Sequence, residues 1–191
     1  QTMLSKDIVD KEKPDIVFVA TGSRPSLPPI IGIDQEYVVT AADVLSGKVN
    51  PGTNVVIIGG GSVGAETADH ISMHGSHATI LEMRDSIAID ESARPRKYLL
   101  ERLEAAHVSL YTNTRVLFIG KNAVYFERSN RPEKIAGIDN IIIATGSRAY
   151  APLLESLQDC DCEVYAIGDA NGVKDGKHNM EEAFHLAIAI K

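Results

Sequence analysis

The stretch Asn54–Glu82, NVVIIGGGSVGAETADHISMHGSHATILE, constrains the fold more than any other part of the chain. Four apolar residues, Val55 to Ile58, run directly into Gly59, Gly61 and Gly64, spaced G-x-G-x-x-G. Such a run followed by glycines predicts a buried strand closing in a tight turn. A helix is expected from Ser62 to near Gly75, and a second strand, Ala78–Leu81, then delivers the acidic Glu82. Strand, glycine turn, helix, strand and acid form one dinucleotide-binding unit. Gly59 frees the turn, Gly61 lets backbone approach a diphosphate, and Gly64 lets the helix lie close to the sheet. The helix tip carries free N–H groups and the positive end of its dipole, so Gly60, Ser62 and Val63 are expected around phosphate. Glu82, 18 residues after Gly64, is placed to accept from the hydroxyls of an adenosine ribose, beside Met83 and Arg84. A carboxylate there favours NAD(H) over NADP(H), because a 2′-phosphate would be repelled; Arg84 could offset this unless it pairs with Asp85. The reading depends on Gly61 lying at the helix tip and on Glu82 not turning into the interior.

Around this unit the chain alternates strands and helices. A helix is expected over Leu4–Glu12, then a strand ending in Ala20-Thr21-Gly22-Ser23-Arg24. SLPPIIGID reads as a linker, and Thr40 as the N-cap of a short helix through Leu45. Residues 93–106 show helical spacing with Tyr98, Leu99, Leu103 and Ala106 on one side, and Pro95 in the first turn. Val108–Tyr111 reads as a third parallel strand. Two strands separated by Gly120-Lys121-Asn122 predict a β-hairpin, with SNRPEK as a charged loop after it. Ile141–Ile143 forms another buried strand that ends in Ala144-Thr145-Gly146-Ser147-Arg148. Asp15 and Ala20–Arg24 therefore recur as Asp139 and Ala144–Arg148, at a constant offset of 124 residues. Either two similar turns or two related nucleotide-binding domains would produce this repeat. A last strand delivers Gly168 and Asp169, and a closing helix is expected over Met180–Ile190.

Composition excludes several classes. The formal charge is -7 with no basic run, which argues against nucleic acid. No stretch approaches the ~20 apolar residues of a membrane span, and the N-terminal residues lack a signal-peptide core. The two cysteines, Cys160 and Cys162, make no disulfide framework and read as ordinary small residues, so the expected compartment is the cytoplasm. His70 and His74 share a helix face without a completing ligand, and no metal is expected. No side-chain set stands out as catalytic.

The glycine fingerprint, the paired Ala-Thr-Gly turns and the terminal Ala166-Ile167-Gly168-Asp169 together resemble the pyridine nucleotide-disulfide oxidoreductase-like flavoproteins. TAADVLSGK before NVVIIGGG, and VYAIGD before the closing helix, are most similar to the C-terminal region of NADH:flavin oxidoreductases of the old yellow enzyme type, such as 2,4-dienoyl-CoA reductase and enoate reductase. The resemblance implies an α/β fold: a Rossmann-like three-layer NAD(P)H domain with a β-hairpin or meander over residues 38–150. It would be flanked by FAD-domain remnants at 1–37 and 151–191. It further implies that Thr21 and Gly22 line the flavin side and that Gly168 and Asp169 hold the FAD ribityl or phosphate region. Ala144, Thr145 and Gly146 would close the nicotinamide side, and Glu66 would orient the nicotinamide end. The implied reaction passes hydride from NADH to flavin for reduction of an enoate or enoyl-CoA-type substrate, with FMN and an iron–sulfur cluster in partner domains. The FAD fingerprint expected before residue 1 is missing, so the chain reads as a fragment that binds little or no FAD. It is expected to be inactive alone and to self-associate through exposed strand edges. The competing reading is a non-catalytic nucleotide-binding regulatory or interaction domain.

Overall fold

The computed structural model describes residues 2–190. The chain divides into two units, one of residues 1–24 and 147–191, the other of Pro25–Gly146. The sequence reading divides the chain at 37/38 and 150/151. Residues 25–37 are not a free linker: Ile30, Ile33 and Tyr37 pack into the core of the second unit. Gln35 Nε2 also donates to the Ile119 carbonyl at 3.1 Å.

In the first unit, α1 (Lys6–Glu12) ends where Lys13 takes a left-handed conformation, and leads to β1 (Ile16–Val19) and the short β2 (Ser23–Pro25).

The second unit opens with β3 (Val38–Thr40) and α2 (Ala41–Leu45), where the Thr40 hydroxyl accepts from the Asp43 N–H as the capping pattern predicts. Then come β4 (Asn54–Ile58), α3 (Ser62–Met73), β5 (His77–Leu81), α4 (Ala93–Ala105) and β6 (Ser109–Tyr111). An antiparallel meander of β7 (Thr114–Gly120), β8 (Ala123–Arg128) and β9 (Arg131–Ala136) precedes β10 (Asn140–Ile143). Five parallel strands form the central sheet in the order β3-β10-β4-β5-β6. The alternation of side chains along each strand builds two cores. Val55, Ile57, Ile80 and Ile142 face α2, α3 and α4, while Val56, Ile58, Leu81, Ile141 and Ile143 face the meander. A strand buried on both faces must be apolar throughout, which is why β4 and β10 read as unbroken hydrophobic runs.

β11 (Ser147–Ala149), β12 (Glu163–Ala166) and α5 (Gly176–Ala189) complete the first unit. There β1 pairs in parallel with β12, and β2 and β11 form a second two-stranded sheet. Val9, Val17, Val19 and Leu157 make its small core. No residue of α5 is buried, and Met180, Phe184 and Ile188 form an exposed apolar stripe.

Several expectations are corrected. SNRPEK is not a loop: Ser129 and Asn130 both take positive φ, the signature of a two-residue hairpin turn, and Arg131–Ala136 continues as β9. Pro132 is tolerated there because β9 is an edge strand. In α4 only Leu99 and Leu103 of the predicted stripe are buried; Tyr98 and Ala106 are exposed. The closing helix starts at Gly176, one turn earlier than expected, because Asp175 caps it by accepting from His178 N at 2.8 Å. Cys160 and Cys162 are not free: they are joined to each other across Asp161.

The repeated ATGSR turns obey one rule in each unit. In the first, the Gly22 carbonyl accepts from Tyr150 N, and the Thr21 hydroxyl donates to the Tyr150 carbonyl. In the second, the Gly146 carbonyl accepts from Ser26 N at 2.9 Å, and the Thr145 hydroxyl donates to the Ser26 carbonyl at 2.7 Å. Gly22 and Gly146 both have positive φ, at 76° and 88°. The sequence repeat thus encodes one turn used twice.

Candidate functional site

The C-terminal ends of β4, β5 and β10 converge on one cavity of about 670 Å³. In an open parallel sheet this is where ligands bind, at the mouth between diverging connections. Gly59, Gly61, Ser62 and Val63 form its floor. Glu82, Met83 and Arg84 stand on one side, and Ala144, Thr145 and Gly146 on another. Of the residues predicted for this site, Gly60, Gly64 and Glu66 do not line the cavity. Gly60 and Gly64 shape it from behind, whereas Glu66 is exposed on α3.

The glycine turn is a set of close approaches. Gly59 has φ +104°, and a Cβ there would stand 2.5 Å from the Ala144 carbonyl oxygen. A Cβ on Gly64 would stand 2.0 Å from the Gly59 carbonyl oxygen, so only glycine lets α3 pack on the turn. Gly61 is the N-cap of α3, and its open side faces the cavity. The requirement that Gly61 sit at the helix tip is met.

Glu82 departs from the simple expectation. It is only 6% exposed, and its carboxylate is not a free acceptor. Oε2 accepts from Gly60 N at 2.6 Å, and Oε1 from Arg84 N at 2.7 Å. The side chain turns toward the glycine loop, not into the apolar core, and still lines the cavity. Oε2 keeps a second lone pair, which leaves acceptor capacity for a ribose hydroxyl, whereas Oε1 already accepts from both Arg84 N and Arg84 Nε. Arg84 pairs with Glu82, Nε to Oε1 at 3.4 Å, rather than with Asp85.

The sequence reading missed Asp90. Both its oxygens meet Ser62 N, at 3.0 and 3.2 Å, at the start of α3. Pro28, Pro29 and Ile30 also line the cavity, from the segment read as a linker. Their apolar side chains were a usable sign of packing; Asp90 gave none, because its partner is a backbone N–H 28 residues away.

In the first unit, the Asp169 carboxylate gathers Ser23 Oγ at 2.9 Å, Asn179 Nδ2 at 2.9 Å and the Lys174 N–H at 3.3 Å. Gly168 beside it has φ +62°. Thr21 and Gly22 are engaged with Tyr150 as described.

Hydrogen bonds from Asn179 and Ser23 hold the Asp169 carboxyl below the usual aspartate value. Burial pushes Asp90 up, but hydrogen bonding from Ser62 and the Arg84 charge outweigh it, and Asp90 also lies low. A carboxyl depressed by folding stabilises the fold above its unfolded value, and that contribution is lost as pH falls through the folded value. Stability should therefore be flat from neutral pH to about pH 5 and decline below about pH 4. Chemical denaturation of Asp169→Asn should show a shallower acid decline; an unchanged decline contradicts this account of Asp169.

Among the described residues no three potential metal ligands converge, and His74 Nδ1 faces the His70 carbonyl oxygen at 2.7 Å. Nor is any helix among them long and apolar enough to cross a membrane.

Residues 4–186 match the model of the pyridine nucleotide-disulphide oxidoreductase family. The chain is 36% identical over 186 residues to a bilirubin reductase of Mediterraneibacter gnavus, covering 96% of this chain and 29% of that protein. It is 34% identical over 182 residues to an NADH oxidase of Thermoanaerobacter brockii, covering 93% of this chain and 28% of that one. Among solved structures, a 2-naphthoyl-CoA reductase complex superposes with a TM-score of 0.90 at 29% identity, over all of this chain and 29% of that one. The chain thus spans under a third of the length of these relatives.

Proposed function

The chain belongs to the pyridine nucleotide-disulphide oxidoreductase family, and on that premise we propose that it is the NADH-binding module of a flavin-dependent oxidoreductase. The observation that carries this reading is the cavity at the tip of α3, floored by Gly61 and flanked by Glu82. A dinucleotide diphosphate would lie over Gly61 against the helix N-terminus, and the adenosine ribose would reach Glu82. The absent Cβ at Gly61 and the second lone pair of Glu82 Oε2 fit such a ligand. Bound NADH supplies a hydride and a flavin accepts it. The residues of this chain bind and orient: the glycine turn seats the diphosphate, and Ala144, Thr145 and Gly146 wall the nicotinamide end. Thr21, Gly22, Gly168 and Asp169 serve the FAD side in the same reading. FMN and an iron–sulfur cluster, by resemblance, belong to other segments of the full protein. The reductases among the relatives support an enoate, enoyl-CoA or similarly unsaturated substrate there.

The preference for NADH follows from charge. A ribose hydroxyl donating to a carboxylate contributes about 1.5–3 kcal/mol. A phosphate charge ~4 Å from Glu82 costs roughly 4 kcal/mol at an effective dielectric of about 20. Arg84, the nearest cation in sequence, is already engaged with Glu82. Fluorescence titration should give NADH binding at least about tenfold tighter than NADPH, a difference of ~1.4 kcal/mol. Tighter NADPH binding would reverse the assignment. NADH-dependent flavin bleaching in the full-length protein separates the oxidoreductase from a non-catalytic nucleotide-binding domain.

A further inference from the structure

Asp90 occupies the place where the diphosphate is read to bind. Its two oxygens lie 3.0 and 3.2 Å from Ser62 N, the amide that opens α3. A Cβ on Gly61 would stand 3.3 and 3.4 Å from the same two oxygens. The carboxylate therefore lies over the face of Gly61 that the missing side chain leaves open, and it lines the cavity. An anion at the positive end of a helix is a favourable arrangement, and a diphosphate would seek it for the same reason.

The loop carrying Asp90 is pinned close by. Ala88 N donates to the Gly60 carbonyl at 2.7 Å, and Ile87 is buried against Gly60. Arg96 Nε donates to the Ile87 carbonyl at 2.9 Å. Asp90 itself is exposed, beyond these anchors. Its carboxylate can leave Ser62 for water by side-chain rotation while Ile87 and Ala88 keep the loop in place.

We propose that Asp90 is an internal competitor for the diphosphate seat, so that a dinucleotide must displace its carboxylate from the tip of α3 and binds more weakly for it. This rests on the reading of the cavity as a dinucleotide site. The residue sets affinity and takes no part in hydride transfer.

Titration of the chain and its Asp90→Asn and Asp90→Ser variants with NADH, ADP-ribose and adenosine tests it. Asn keeps a neutral acceptor of the same length opposite Ser62 N, and position 90 is exposed, so neither change disturbs the core. Both should bind NADH and ADP-ribose about 2- to 30-fold tighter, the range of a charge at a helix N-terminus. Adenosine, which has no phosphate, should bind all three proteins alike. The variants should also show a larger rise in unfolding temperature on adding NADH, even if their ligand-free temperature drops. Unchanged or weaker NADH binding in both variants, with normal binding by the parent chain, overturns the proposal and leaves the site reading intact. An equal gain for adenosine also overturns it. Failure of all three proteins to bind NADH and ADP-ribose overturns the site reading and this inference with it.

Discussion

Replacing Gly64 with alanine is expected to lower the unfolding temperature by about 5–10 °C and to abolish measurable NADH binding. The new Cβ would meet the Gly59 carbonyl oxygen at 2.0 Å and the Ala144 Cβ at 3.3 Å. The first of these is a backbone atom of the turn itself, so no side-chain rotation relieves the clash. Either α3 lifts from the end of β4 or the turn shifts, and both move the helix tip that is to hold the diphosphate. Overpacking of this kind costs about 1–3 kcal/mol or more. Gly75→Ala is the control: Gly75 has φ +93°, and an added Cβ there meets nothing within 4 Å. It should lose about 1 kcal/mol from backbone strain and keep NADH affinity. Thermal unfolding and fluorescence titration of both variants separate the effects. If Gly64→Ala behaved like Gly75→Ala, the close packing of α3 on the turn would not matter to the site.

Glu82→Ala is the second large effect. The carboxylate accepts from the N–H groups of Gly60 and Arg84 within a buried position, so truncation leaves both donors without their partner. Hydrogen bonds to a charged group contribute about 1.5–3 kcal/mol each, and loss of two should destabilise the chain by several kcal/mol. NADH affinity should fall at least about tenfold, and the preference over NADPH should disappear. Glu82→Gln retains an acceptor and the side-chain volume, and should recover part of the stability without the charge. An undiminished preference for NADH in both variants would mean that Glu82 does not read the ribose.

The central unit was legible because its signals are local. An apolar run buried on both faces, three glycines at fixed spacing and an acid at the next strand end all belong to one stretch of 29 residues. Thr40 likewise announced its helix through a hydrogen bond to Asp43, three residues on. What escaped depends on contacts far apart in sequence or on backbone alone. β9 was missed because its residues, Arg131 to Ala136, are largely polar and include Pro132; backbone pairing with β8 orders them. β3 spans three residues and is an edge strand of the sheet. In the segment read as a linker, Ile30 and Ile33 follow two prolines, and their apolar side chains pack against the meander core through contacts distant in sequence. Within the site, the residues from the fingerprint line or support the cavity, while Glu66 stands outside it. Glu82 lines the cavity, but its hydrogen bonds to the glycine loop follow from a register of strands that the sequence does not display.

Amide chemical-shift mapping of the chain during NADH titration tests the central claim most directly. The account predicts the largest changes at Gly60, Gly61, Ser62 and Val63, with further changes at Glu82 and Met83 and at Thr145 and Gly146. Changes concentrated instead around Asn113, Ser129 and Arg131, which line a separate polar hollow, or no changes at all, would contradict it.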